Sequence, residues 1–209
     1  MRVKICGITS CDDALMAARE GADALGFNFH PASPRFVRPA VVREIVGLLP
    51  PFVTAVGVFV NAGDPAEVDR MARQAGVSAV QLHGDESPTY CRQLAGWPVI
   101  KVLRLDPESP FEIPVEYPAT AFLLDCRSES QYGGTGRTLD WGRLAGRGWP
   151  LPVILAGGLR PDNVGAAIRS VRPWAVDVCS GVEHGPGRKD LRKIRAFIDE
   201  ARHADQDTR

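Results

Sequence analysis

The sequence predicts an α/β protein, a single-domain (β/α)₈ barrel of the TIM type, on three observations. First, eight short apolar runs alternate with amphipathic stretches along 209 residues. Strict strand–helix alternation makes a parallel sheet with right-handed crossovers. Second, a helix end feeds an apolar run in similar wording at 18–26, 72–80 and 168–176, a weak internal repeat. Third, no linker splits the chain, whereas a doubly wound sheet would need fewer strands or a second domain. Eight units closing on themselves give a barrel, somewhat small against the typical ~250 residues.

The elements follow in order. The first strand is expected over 3–8. Side chains alternate along a strand, so Val3 and Ile5 face a helical layer while Lys4 and Cys6 point inward, Cys6 at the mouth where Gly7 begins a loop. A helix over 12–20, a strand over 24–29, a helix over 39–49 and a strand over 54–60 come next. Asp64 before Pro65 opens a helix over 65–74, because a carboxylate at the N-cap accepts an orphan amide and proline at the first helical position forfeits no bond. After a strand over 79–83, Ser87-Pro88 opens 87–95 in the same way, and a strand covers 99–105. The span 106–120 is rich in proline and acidic residues, so the fifth crossover helix is short or missing. The remaining strands are 121–126, 153–156 and 175–179, and the remaining helices 139–145, 162–171 and 190–202. The barrel is expected to occupy 1–203, with 204–209 a polar C-terminal tail that frays.

Bulk properties exclude several classes. Lys plus Arg and Asp plus Glu both number 25, so net charge is zero and neither a nucleic-acid nor a membrane surface built on bulk charge is expected. No apolar run approaches the roughly 18 residues of a spanning helix. Met1-Arg2-Val3-Lys4 enters a strand directly with no signal-peptide apolar region behind it, which makes a cytoplasmic location the default. Five cysteines are an odd number and none sits in a Cys-x-x-Cys pair, so neither a disulfide framework nor a zinc site is expected. The four histidines are scattered, and no metal site is expected. Monomer and homodimer are both open.

In this fold the chemistry sits where strands end and helix-bound loops begin. Inward parity puts Cys6, Asn28, Gln81, His83, Asp125 and Asp177 in that layer. Ala156-Gly157-Gly158-Leu159 follows the seventh strand and Cys179-Ser180-Gly181-Val182 the eighth, the two loops that hold phosphate in many such barrels. Backbone amides there, with the Ser180 hydroxyl, make an anion cradle. One such turn alone could simply reverse the chain; two in the two expected loops favour phosphate. Gly133-Gly134-Thr135-Gly136 is either a loop closing over ligand, with Gly134 and Gly136 at its phosphate, or a plain surface loop.

Asp125, behind Phe122-Leu123-Leu124, suits a general acid, because an apolar mouth disfavours its ionised form; a turn-capping aspartate is the alternative. Cys6 as a base needs the opposite tuning, since an ordinary thiol is mostly protonated at neutral pH. Otherwise it is a small buried hydrophobe, the fate assigned to Cys11, Cys91 and Cys126. Arg35 in Ser33-Pro34-Arg35-Phe36 either holds a carboxylate bidentately or is simply solvated. Asp177 between valines needs a partner, with Lys4, Lys101 or a ligand group as candidates. Gln81 and His83 line the wall, the histidine positional rather than catalytic.

Lys4-Ile5-Cys6-Gly7-Ile8-Thr9, Ser33-Pro34-Arg35, Gln81-Leu82-His83-Gly84, Leu124-Asp125, Gly133-Gly134-Thr135-Gly136, Ala156-Gly157-Gly158-Leu159 and Asp177-Val178-Cys179-Ser180-Gly181-Val182-Glu183 together resemble, in order, the motifs of the phosphoribosylanthranilate isomerase family. The resemblance spans Val3 to about Ala201. It implies a cofactor-free Amadori rearrangement of N-(5-phosphoribosyl)anthranilate, a small phosphosugar substrate, in tryptophan biosynthesis. By position, Asp125 would protonate the ribose ring oxygen and Cys6 would take the C2′ proton. Arg35 would hold the anthranilate carboxylate, and Gly157-Gly158 and Ser180-Gly181 the phosphate. Cys179 departs from the serine the family often carries there. Two other readings compete. Another phosphosugar enzyme, such as indole-glycerol-phosphate synthase or a ribulose-phosphate epimerase, would want a strand-end lysine or metal-binding histidines. A non-catalytic phospholigand-binding barrel would keep the glycine turns and lose the Cys6–Asp125 pair.

Overall fold

The computed structural model describes residues 1–106, 110–113, 117–126 and 138–207. Eight parallel strands close into a barrel in sequence order: β1 (Arg2–Cys6), β2 (Ala24–Asn28), β3 (Thr54–Phe59), β4 (Ala79–Leu82), β5 (Val99–Leu105), β6 (Ala121–Cys126), β7 (Val153–Leu155) and β8 (Ala175–Val178). Closure comes from β1 pairing with β8, Lys4 opposite Asp177 and Ile5 opposite Val178. Outside lie α1 (Cys11–Arg19), α2 (Pro39–Leu48), α3 (Pro65–Ala75), α4 (Pro88–Arg92), α5 (Val164–Val171) and α6 (Leu191–Gln206).

The anticipated caps are in place. Asp64 accepts from the Ala66 amide at 2.8 Å, and Ser87 from the Tyr90 amide at 3.2 Å. Strand parity builds two apolar layers. Val3, Ile5, Leu25, Phe27, Phe122 and Leu124 face the helices in the larger core, whereas Val102, Leu123, Ile154 and Ala175 fill the barrel interior. Each fully buried large side chain contributes about 1.5–3 kcal/mol.

Four expectations change. The stretch 139–145 forms only a 3₁₀ turn, Trp141–Arg143, since Asp140 caps the Gly142 amide at 3.0 Å and Gly146 turns the chain at φ +67°. The helix expected over 87–95 shortens to Pro88–Arg92. The last helix, expected to stop at 202, runs to Gln206, because Ala204 extends the buried stripe Ile194, Phe197, Ile198, Ala201 and Asp205 pairs with the Met1 amine. Residues 204–206 are therefore helical rather than a frayed tail. Finally, β8 is followed by a 3₁₀ turn, Ser180–Val182, and a small antiparallel hairpin of β9 (Glu183–Gly185) and β10 (Arg188–Lys189) that the sequence reading lacked.

Between β5 and β6 no helix occurs among the described residues, as the proline and acidic content of that span implies. The Gly134 and Gly136 loop lies outside the described residues. Among those described, no helix is long and apolar enough to cross a membrane, and no cluster of His, Cys, Asp and Glu could hold a metal ion.

Candidate active site

The barrel mouth encloses about 680 Å³ of space, part of it open to solvent. Its lining brings together Cys6, Arg35, His83, Asp125, Gly157, Gly158, Asp177 and Ser180, all named from the sequence, together with Asn28 and Cys179.

The β1–β8 side is a charged column. Lys4 and Asp177, directly opposite in register, form a buried ion pair at 2.7 Å. Burial alone disfavours both charges. It lifts the Asp177 carboxyl to about 6 against the pull of Lys4, while Asp177 and Cys6 together hold the Lys4 ammonium above its ordinary range. One step nearer the mouth, Cys6 and Cys179 both line the cavity, and the Cys179 thiol donates to Glu183 Oε1 at 3.9 Å. The neighbouring Cys179 side chain holds Cys6 well below the ordinary thiol range; burial opposes the shift, and the positive charges of Lys4 and Lys189 reinforce it. Cys179 is pushed correspondingly up.

The hairpin β9–β10 supplies what the sequence reading missed. Buried Glu183 accepts from Arg35 Nε at 2.9 Å and Arg35 Nη2 at 2.7 Å, and from Lys189 Nζ at 2.8 Å. Lys189 Nζ also donates to the Cys6 and Cys179 carbonyls, tying the hairpin to the ends of β1 and β8. Arg35 is thus neither solvated nor free: a protein carboxylate fixes one edge of its guanidinium and aims it into the cavity. The Gly185-Pro186-Gly187 stretch was a turn signal that could have exposed this hairpin.

On the β4–β6 side, Asp125 is held by polar donors rather than an apolar wall. Its Oδ1 accepts the Cys126 amide at 2.8 Å, and its Oδ2 lies 3.1 Å from His83 Nε2. Gln81 Nε2 stands 3.1 Å from His83 Nδ1. Gln81 donating to Nδ1 leaves the Nε2 proton facing Asp125, so the amide sets the tautomer. Gln81 is itself fully buried and does not line the cavity, which corrects the expectation that it forms the wall. Lys101 is likewise not a partner of Asp177: its ammonium pairs with Glu86 at 2.7 Å and donates to the Gly84 carbonyl at 2.7 Å.

Two glycines are required by close approach. A Cβ at Gly157, where φ is +77°, would stand 2.8 Å from the Cys126 amide nitrogen beside Asp125. One at Gly181 would lie 2.0 Å from the Leu159 carbonyl oxygen. The loops after β7 and β8 therefore touch, and their amides and the Ser180 hydroxyl share one rim. Gly181 serves this contact from behind the rim rather than lining the cavity.

The arrangement offers a thiol held below its ordinary range, a carboxyl positioned by a histidine, an anchored guanidinium and an amide-rich rim in one cleft. The family model described as N-(5'phosphoribosyl)anthranilate (PRA) isomerase matches residues 3–200. A curated relative from Pelobacter propionicus, "N-(5'-phosphoribosyl)anthranilate isomerase", is 50% identical over 199 residues, 95% of this chain and 94% of its own. The solved phosphoribosyl anthranilate isomerase of Thermotoga maritima superposes with a TM-score of 0.85 at 40% identity, covering 97% of this chain and 99% of that one. A second solved isomerase, in complex with reduced 1-(o-carboxyphenylamino)-1-deoxyribulose 5-phosphate, gives 0.82 at 39% identity with the same coverage. Fold, site and comparisons agree, and the chain belongs to the N-(5'-phosphoribosyl)anthranilate isomerase family.

Proposed function

We propose that this enzyme converts N-(5-phosphoribosyl)anthranilate to 1-(2-carboxyphenylamino)-1-deoxyribulose 5-phosphate, the isomerisation of tryptophan biosynthesis, with Cys6 as base and Asp125 as acid. The observation that carries the reading is a Cys6 thiol held below its ordinary range in the same cavity as Asp125. Asp125 delivers a proton to the furanose ring oxygen, and the ring opens to a Schiff base. Cys6 then removes the C2′ proton, and the resulting enolamine tautomerises to the ketone. His83 positions Asp125 and Gln81 positions His83. The anthranilate carboxylate meets the free edge of Arg35, and the phosphate meets the rim of Gly157, Gly158 and Ser180, with Gly181 closing the rim from behind. Asp177, already engaged by Lys4, presents its second oxygen to a sugar hydroxyl. Every step is a proton transfer, so the chemistry calls for no cofactor, and each positioned acid or base contributes about 10²–10⁴-fold. Loss of substrate fluorescence on incubation with phosphoribosylanthranilate tests the activity directly; no loss at micromolar enzyme refutes it.

The enzyme works in the cytoplasm as a homodimer. All five cysteines are free thiols, as suits a reducing compartment. The N-terminal face carries an apolar bowl lined by Val56, Ala79, Ile100 and Ala121, and beside it Phe52 stands fully exposed at φ +71°. A knob next to a hole on one face is self-complementary, which is what a two-fold interface needs. Light scattering should report a dimer for the native chain and a monomer for Phe52→Glu; a native monomer refutes this assembly.

A further inference from the structure

Cys6 ends β1 and Cys179 follows β8, and the register Ile5↔Val178 sets them side by side one step nearer the mouth. Paired strands lie about 4.7–4.9 Å apart, within the ~4.4–6.8 Å between Cα atoms that a disulfide spans. Both thiols are free and both line the cavity. Cys91 and Cys126 are buried outside this cavity, and Cys11 lies on α1. We propose that Cys6 and Cys179 form a modification site, a vicinal dithiol across two strands that a hydroperoxide closes to a disulfide and a dithiol reductant reopens. The bond itself follows from the geometry; its effect on turnover rests on the reading of Cys6 as the base.

The chemistry balances without further reactants. The Cys6 thiolate, stabilised by its neighbouring cations, attacks one peroxide oxygen; the O–O bond breaks and the departing hydroxide takes up a proton as water. Cys6 is now a sulfenic acid. Cys179 gives up its proton and attacks the Cys6 sulfur, the S–O bond breaks, and the second hydroxide leaves as water. Two thiols and one hydrogen peroxide become one disulfide and two waters, the sulfurs surrendering the two electrons that the peroxide accepts. A low-pKa, accessible thiol beside a resolving thiol is the arrangement that favours reversible oxidation over progression to the sulfinic acid. Serine at position 179 would keep a hydrogen-bond donor and lose this protection.

The test treats the full chain with a small excess of hydrogen peroxide, quenches, and reads intact mass, titratable thiols and turnover. The expected result is a loss of 2 Da, a fall in thiols from five to three, peptides linked through Cys6 and Cys179, and turnover lowered at least ~10²-fold, all reversed by dithiothreitol. Cys179→Ser should show no 2 Da loss and should instead trap dimedone on Cys6, each variant being compared with its own untreated activity. Gain of 16 or 32 Da in the native chain, a bond through Cys11, or the same 2 Da loss in Cys179→Ser would overturn the site. A Cys6–Cys179 bond that leaves turnover intact would overturn the inactivation, and with it the base role of Cys6. A missing bond leaves that role to be judged on Cys6→Ala alone.

Discussion

Replacing Lys4 by methionine keeps the length of the side chain and removes its charge from beneath the Cys6 thiol. Asp177, only 7% exposed, then loses a partner at 2.7 Å and stands as a buried, uncompensated carboxylate. Removing one member of a buried pair costs about 3–5 kcal/mol. For a chain of this size each kcal/mol moves the midpoint by about 2–4 °C, so Tm should fall by ~6–20 °C at alkaline pH, where Asp177 stays ionised, and by less near pH 7. The pH dependence gives the sharper signature. Burial raises the Asp177 carboxyl to about 6 in the folded protein, so the folded state binds its proton more tightly than the unfolded chain. A group shifted upward contributes stability that is present below its unfolded value near ~4 and is lost as pH rises through its folded value. Without Lys4 that folded value climbs further. The penalty of Lys4→Met should therefore be largest above pH 6 and shrink steadily toward pH 5, where Asp177 takes up a proton. Urea denaturation of native and variant chains at pH 5, 6, 7 and 8 reads this, and Lys4→Met/Asp177→Asn should recover most of the loss at pH 7. Turnover should carry a parallel signature: with one fewer cation near Cys6, the acid limb of kcat/KM should move to higher pH. A penalty under ~1 kcal/mol at pH 7, or one that does not vary with pH, would refute the reasoning.

Other perturbations separate the roles. Cys6→Ala and Asp125→Asn should each lower kcat by at least ~10² with circular dichroism unchanged, and near-native turnover in either removes that residue's role. Arg35→Ala should raise KM about 10–100-fold with a smaller change in kcat, as loss of a charge-assisted contact worth ~1.5–3 kcal/mol requires; an unchanged KM would mean the carboxylate is held elsewhere. Gly181→Ala must push a methyl against the Leu159 carbonyl, 2.0 Å from the new Cβ, and part the loops after β7 and β8. Its KM should rise ~10-fold or more, and inorganic phosphate should inhibit it less than the native enzyme; equal inhibition would argue against the rim as the phosphate site.

Much of this was legible because strand parity is a rigid rule. Once β1 is placed, Lys4 and Cys6 must face inward, which made Lys4 one of the candidate partners of Asp177, and the register that sets them opposite each other decides between Lys4 and Lys101. The glycine turns after β7 and β8 were legible for a similar reason: no other residue tolerates the approach of Gly181 to Leu159. What escaped lacks periodicity. Strands β9 and β10 have three and two residues, with a register shift between them, too short for any alternation to register. Yet they carry Glu183 and Lys189, which fix Arg35 and clamp the ends of β1 and β8. Gln81 was misread because parity gives direction and not depth: it points inward but sits behind His83. The surroundings of Asp125 were misread because its strand is apolar while its contacts come from a neighbouring histidine and its own chain. Cys179 gave no signal beyond its departure from the family's serine, and its place beside Cys6 in the cavity lining is visible only in the structure.

The central claim is that thiolate and carboxyl work on one sugar whose phosphate is gripped by the loops after β7 and β8. A crystal structure of this enzyme with reduced 1-(o-carboxyphenylamino)-1-deoxyribulose 5-phosphate measures it most directly. The account predicts the Cys6 sulfur about 3–3.5 Å from C2′, an Asp125 oxygen within hydrogen-bond reach of the former ring oxygen, and the phosphate on the amides of Gly157, Gly158 and Ser180. A bound ligand whose C2′ lies beyond reach of Cys6, or whose phosphate sits away from that rim, would contradict it.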